Sequence, residues 1–231
     1  MLRAVVERGV DAIVLVGTDH SATVFELARQ YGLPYVLTWS RDEAQYKHCV
    51  GFSYHEAAYR MGSLVAEYGH RRIALCVGAA LKASGLELRP DWIVEQPFSF
   101  EGGRAAVAQL MTDPQPPTVL ICGSDLHAVG ALSECRARGI RVPEDLSITG
   151  SDDIELATLV EPALTTVRVP TVEIGVRAAR RIVGLIEGTE MADEPALETS
   201  LVVRDSLRRI GKGKAAQARL PRGSTAVTSP G

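Results

Sequence analysis

What this sequence lacks narrows the field before any motif is considered. No run approaches the roughly 18 apolar residues of a membrane span, so neither a bilayer helix nor a membrane partner is expected. The opening MLRAVVERGVD has no basic-then-apolar order of a secretory signal, and the cytoplasm is the expected compartment. Cys49, Cys76, Cys122 and Cys135 form no C-x-x-C pair. Two of them stand inside apolar runs, where a reduced thiol packs as a small hydrophobe, so no disulfide, zinc or other metal is expected, and no cofactor. Neither a G-x-x-x-x-G-K-[ST] phosphate loop nor a G-x-G-x-x-G fingerprint occurs. Positive charge is short as well: a formal net charge of −3 argues against a chain that coats nucleic acid by itself, because such affinity comes mainly from Lys and Arg neutralising phosphates. The basic cluster from Arg204 to Arg222 runs into Gly, Ser, Thr and Pro, and 208–231 reads as a solvated, disordered basic tail.

What is present is an α/β pattern. The 231 residues, 46% of them hydrophobic, are enough for a sizeable core. Short apolar runs (AIVLV, PYVLTW, RIALCV, WIVEQ, TVLIC, LSITG) alternate with segments of helical period. In EAAYRMGSLVAEYG, for instance, Ala58, Met61, Val65 and Tyr68 share one face. Helices are expected to stop at Gly32, Gly69, Gly139 and Gly188, since glycine accepts the left-handed position after a helix. Unbroken Val/Ile/Leu strands separated by single helices specify doubly wound parallel sheets. Two places break the pattern. The chain begins in an amphipathic helix with no strand before it, and AALKAS gives a short crossover between RIALCV and WIVEQ.

Two strands end in the same tripeptide: TVLIC runs into Gly123-Ser124-Asp125, and LSIT into Gly150-Ser151-Asp152. Ligands of open parallel sheets bind outside the carboxyl ends of the strands, so Ser124, Asp125, Asp152 and Asp153 should gather at one rim, where they could bond a polyhydroxy ligand. For Asp125 and Asp153 the favoured reading is helix capping, with ligand contact as the alternative; for Ser124 and Asp152 the preference is reversed. Phe98 or Phe100, in the loop after WIVEQ, could lie against the apolar face of a sugar. His20, after AIVLV, is a solvated loop histidine or a ligand contact. A hydrolase with Ser124 as nucleophile, His127 as base and Asp152 as orienter is disfavoured, because Cys122 to Leu126 lacks the flanking glycines of a nucleophile elbow.

Five segments together carry a family resemblance: GHRRIAL (69–75), FSFEGGRAA (98–106), PPTVLICGSDLHAVGAL (116–132), GIRVPEDLSITGSDD (139–153) and PALTTVRVP (162–170), the last followed by a helix and SLVVRDS. From about Val5 to Leu207 the chain resembles the effector-binding core of the lactose repressor/galactose repressor (LacI/GalR) family of bacterial transcription regulators. The resemblance implies a two-lobed periplasmic-binding-protein-like fold. Residues 1–68 and 171–187 would form an incomplete N-terminal lobe, and 69–168 with 197–204 a C-terminal lobe.

In that family an effector between the lobes shifts their angle and so moves a helix-turn-helix on DNA. Carried over by position, Phe98 matches the aromatic that stacks on the effector, Ser124 a polar residue that is usually Asn, and Asp152 a ligand-binding carboxylate. Serine shortens the reach at its position and offers one hydroxyl in place of an amide. The family's helix-turn-helix, its hinge and its first strands have no counterpart here, and the short AALKAS segment stands where an effector-gripping arginine would be. The expectation is a non-enzymatic, effector-sensing regulator core, a repressor remnant that dimerises. It would take a sugar-like small molecule and reach operator DNA only through a domain absent from this sequence. The alternative is a sugar-binding protein of an uptake system.

Overall fold

The computed structural model describes residues 6–17, 20–40, 48–77, 89–189, 192 and 194–210. The amphipathic start before residue 6, the AALKAS crossover and the tail from 211 lie outside them.

Two sheets form. Strands β1 (Ile13–Val16), β2 (Tyr35–Thr38) and β3 (Cys49–Val50) make a parallel sheet in the order β1-β2-β3. The second contains β4 (Ile73–Val77), β5 (Ile93–Glu95), β6 (Val119–Cys122), β7 (Ser147–Asp152), β8 (Thr165–Arg168) and β9 (Ser200–Val202), ordered β5-β4-β6-β7-β8-β9. It is parallel except for β9, which pairs antiparallel with β8. The apolar runs become strands because helices cover both faces of such a sheet: Ala74, Cys76, Leu120 and Ile148 are wholly buried on one side, and Val119 and Val167 on the other.

Helices α1 (Ala22–Gln30), α2 (Tyr54–Glu67), α3 (Phe100–Leu110), α4 (Asp125–Arg138), α5 (Leu156–Leu159) and α6 (Thr171–Glu187) complete the pattern. Gly32, Gly69, Gly139 and Gly188, the predicted helix stops, all take positive φ. Helices α3 and α4 lie against one face of the six-stranded sheet, where Ala106, Val107, Leu110, Ala128, Ala131 and Cys135 fill a core with the β4, β6 and β7 side chains. They approach so closely that a Cβ on Gly103 would overlap the backbone carbonyl of His127, and one on Gly130 that of Phe100. The glycines of EGGRAA are therefore packing residues, and Ser99 caps the helix start by accepting from Gly102 N at 3.0 Å.

One boundary differs from the sequence expectation. Helix α2 packs against the second sheet: Met61 and Val65 join Val119 and Val167 in a cluster that also takes in Val36 and Val50 of the first. Its Arg60 donates to Thr199 O at 3.0 Å, beside β9, and Arg209 stacks over Tyr68 at 4.2 Å. The chain thus crosses after β3, near residue 51, and not at residue 68. It returns from β8 to α6, which covers the first sheet through Ile174 and Ala178, and crosses again before β9. The tail boundary moves too. Arg208 to Ile210 are docked: buried His70 bonds Thr118 Oγ1 through Nδ1 at 2.9 Å and Arg208 O through Nε2 at 3.0 Å, while Ile210 N donates to Tyr68 O at 2.8 Å.

Gly103→Ala should cost about 1–3 kcal/mol, because a backbone carbonyl cannot yield as a side chain would. Gly175→Ala, on the open face of α6 where an added Cβ meets nothing within 4 Å, should instead stabilise by about 0.5–1 kcal/mol. Urea denaturation of both variants checks the pair; a Gly103→Ala protein as stable as wild type would refute the close contact.

Candidate ligand-binding site

The site is built from the carboxyl ends of β6, β7 and β2. After β6, Gly123 N donates to Cys76 O at 2.8 Å, and the chain leaves the sheet through Ser124 in extended conformation (φ −152°, ψ 159°). Ser124 is the N-cap of α4: its Oγ accepts from His127 N at 3.2 Å. That leaves the hydroxyl proton available to a ligand.

The sequence expectation had given the cap to Asp125. Asp125 is instead wholly buried and turns its carboxylate away from its own helix. Oδ1 accepts from Thr166 Oγ1 on β8 at 2.6 Å, and Oδ2 from Ile154 N at 2.9 Å. A Cβ on Gly150 would collide with that carboxylate, so the glycine of the second tripeptide makes room for the aspartate of the first. Burial, followed by the charge of Asp153, raises the Asp125 carboxyl despite these bonds.

Asp152 ends β7 with φ +118°, a region that L residues rarely adopt. The backbone N–H of Asp125 and the indole of Trp39, which follows β2 in the other sheet, favour its charged form. Burial and then the neighbouring Asp125 charge push its carboxyl up to about 7. Tyr54, at the start of α2, faces the same charge: burial and then Asp152 push its phenol up to about 12. Asp153 is neither a cap nor free for a ligand. Arg168 Nε lies 2.6 Å from its Oδ2 and Arg204 Nη2 2.6 Å from its Oδ1. Burial would raise this carboxyl, but the bonds from Arg168 and Arg204 outweigh it and hold it low.

At the end of β5, the Phe98 ring is 52% exposed and stacks on the His127 ring at 5.2 Å with an interplanar angle of 23°. His127 is fully buried, and its Nε2 meets Pro97 O at 2.5 Å. Burial lowers its pKa against that bond, so the ring is neutral, with its Nε2 proton on Pro97 and no partner at Nδ1. Ser124 thus touches the backbone of His127 and not its ring, and the Ser124–His127 dyad that hydrolysis would need is not formed. His20 opens α1, half buried, its ring edge-on to Phe25 at 6.2 Å. No described contact joins it to Ser124, Asp152 or Phe98.

Between α2 and the second sheet lies a cleft that is open to solvent and almost entirely apolar. Met61, Val77 and Cys122 line it, and so do Gly123 and Ser151, the residues directly before Ser124 and Asp152. The arrangement offers a ligand an exposed aromatic face, a hydroxyl donor, a carboxyl group that changes charge near neutral pH, and an apolar floor. Among the described residues no group of His, Cys, Asp or Glu is placed to hold a metal, the four cysteines are buried and in no disulfide, and no helix is long and apolar enough to cross a membrane. Sequence reasoning missed Trp39 and Tyr54, although Trp39 stood at the end of a predicted strand, the position from which ligand groups project.

Two sheets with a strand-end cleft, joined by chain that crosses between them repeatedly, define a ligand-binding protein of the bilobal type. The chain belongs to the periplasmic binding protein-like domain family, whose model matches residues 2–207. It is 35% identical over 170 residues to the HTH-type transcriptional repressor CytR of Escherichia coli K12, an alignment covering 67% of this chain and 50% of the repressor. It is likewise 35% identical over 165 residues to the ribose operon repressor of Haemophilus influenzae, covering 64% and 50%. The chain therefore spans about half the length of the curated relatives it matches. Among solved structures it resembles a LacI transcriptional regulator of Bacillus cereus subsp. cytotoxis (TM-score 0.81, 25% identity, 91% of this chain and 80% of that one). It also resembles the transcriptional regulator CelR in complex with cellobiose (TM-score 0.77, 29% identity, 88% and 68%).

The raised Asp152 carboxyl makes stability depend on pH with a definite sign. The folded value of about 7 lies above the ordinary 3.8, so the stabilisation from holding the proton is complete at low pH and is lost as pH rises toward 7. Asp152→Asn carries no such charge and also tolerates positive φ. Its stability relative to wild type should therefore rise between about pH 4 and about pH 7 and level off above, as measured by urea unfolding. A difference that does not vary with pH would contradict the raised value.

Proposed function

We propose that this chain is the effector-sensing core of a LacI/GalR-type transcription regulator, a repressor of the cytoplasm, which binds a sugar or related polyhydroxy molecule between its two sheets. The observation that carries the reading is the convergence at one rim of Ser124, Asp152 and, from the other sheet, Trp39, with the exposed Phe98 ring at the neighbouring end of β5. Hydroxyls of such a ligand donate to Asp152 and accept from Ser124, and its apolar ring face lies on Phe98. Binding across two sheets favours the arrangement in which both touch the ligand, and only that difference in affinity can shift the lobes. Catalysis has no part in the reading, because no nucleophile–base pair is assembled at this rim.

In this reading two copies associate and reach operator DNA through an N-terminal helix-turn-helix that lies outside this sequence. The family membership and the repressors among its relatives support that over a role in uptake. Calorimetry against pentoses, hexoses and nucleosides tests it. Asp152→Ala and Phe98→Ala should each weaken the binding of the recognised compound by at least about tenfold, roughly 1.4 kcal/mol. Unchanged affinity in Asp152→Ala would move the site elsewhere.

A further inference from the structure

Helix α6 is apolar on two opposite sides. It turns Ile174 and Ala178 into the core against the first sheet, while Val172, Val176, Ala179, Val183 and Ile186 stand exposed on the far side, Val172 by 80%. We propose that this outer face docks a second copy of the same chain, α6 against α6, antiparallel about a two-fold axis. The proposal names a surface for the association of two copies described above; it rests on that part of the reading and makes no use of the ligand site.

The exposed residues are spaced by four, three, four and three, the alternation that lines up a seam which paired helices bury in each other. Single apolar side chains on a surface need no explanation, and α2 and α4 expose one large one each, Tyr59 and Leu126. On α6 they form a continuous row. Helices with apolar residues all round are normally covered all round, and on α6 the charged residues Glu173, Arg177, Arg180 and Glu187 are confined to one strip between the two apolar sides.

The same surface continues onto β1. Val14 pairs in register with Val36, which clusters with Ile174 and Ala178, so Val14 and Val16 lie on the α6 side of the first sheet. Both are exposed, and among the described residues β1 is the end strand of its sheet.

The pattern along the helix selects a copy of itself as the occupant. Laid antiparallel on a second α6, Val172 meets Val183 and Val176 meets Ala179, and the two-fold axis repeats each contact. The charges flanking the seam set the register. In this one Glu173 stands across from Arg180 of the second copy, again twice. Sliding the helices until Val176 meets Ile186 would instead set Glu173 against Glu187 and Arg180 against Arg180. A parallel pair would leave the same charges beside Gly175 and Ile182, with no opposite charge to meet. Both charges are open to a partner. Glu173 receives Arg177 Nε at 2.8 Å on Oε1 and stays half exposed, and no described residue bonds Arg180, which is exposed.

Sedimentation velocity of the full chain over a dilution series tests this. Wild type should pass from monomer to dimer as concentration rises. Val183→Glu should raise the dissociation constant by at least about tenfold and leave the circular dichroism unchanged, because Val183 is half exposed in the single chain and glutamate suits a helix interior better than valine. Should that variant fail to fold, Val172→Glu probes the other side of the same contact, with an acid in the first turn where the helix dipole favours it. Arg180→Glu should weaken the dimer by roughly three- to tenfold, more at low salt than at high, and adding Glu173→Lys should restore it.

A wild type that stays monomeric at every concentration overturns the proposal together with the association it rests on. A dimer that Val183→Glu and Val172→Glu leave as tight as wild type keeps the association and overturns the surface. Failure of Glu173→Lys to rescue Arg180→Glu overturns the antiparallel register.

Discussion

A carboxylate sealed inside the head of α4 sets the arrangement of the strand ends. A charged or polar group removed from water is tolerated only when its hydrogen bonds are made, and Asp125 makes them to Thr166 of β8 and to the backbone after β7. Those bonds fasten the start of α4 across two neighbouring strands and leave no room for a side chain at Gly150. The charge of Asp125 then adds to burial in raising the Asp152 carboxyl. The charge state of Asp152 is thus set in part by the buried carboxyl at the end of the neighbouring strand.

The aromatic side of the site depends on a different kind of constraint. Helices α3 and α4 meet backbone to backbone at Gly103 and Gly130, which presses His127 under the loop that follows β5. His127 bonds the carbonyl of Pro97 and supports the ring of Phe98 from below. Dispersion with a buried ring and one hydrogen bond therefore hold an otherwise exposed phenylalanine in place. A histidine beside a serine invites a catalytic reading; the geometry makes it a support.

Much of the fold was legible because the signals are local. Apolar runs such as IALCV and VLIC are strands buried on both faces, and the four helix-ending glycines all adopt the left-handed conformation their positions imply. The repeated Gly-Ser-Asp also marked the carboxyl ends of two neighbouring strands, β6 and β7. What each rim residue does was less legible. Ser124 and Asp125 exchange the expected cap, because which side chain folds back on the helix depends on whether Thr166 and Ile154, far along the chain, offer the other a better partner. Asp153 goes to Arg168 and Arg204 for the same reason.

Periodicity by itself determined that this chain builds parallel, doubly wound sheets, because burial on two faces and the turn out of a strand leave marks within a few residues. Tertiary structure alone decided that α2 packs against the second sheet and that Asp125 is internal and bonded to Thr166. An amphipathic helix shows which of its faces is buried but not against which sheet, and a hydrogen bond between residues 41 positions apart, as between Asp125 and Thr166, leaves no pattern in either segment.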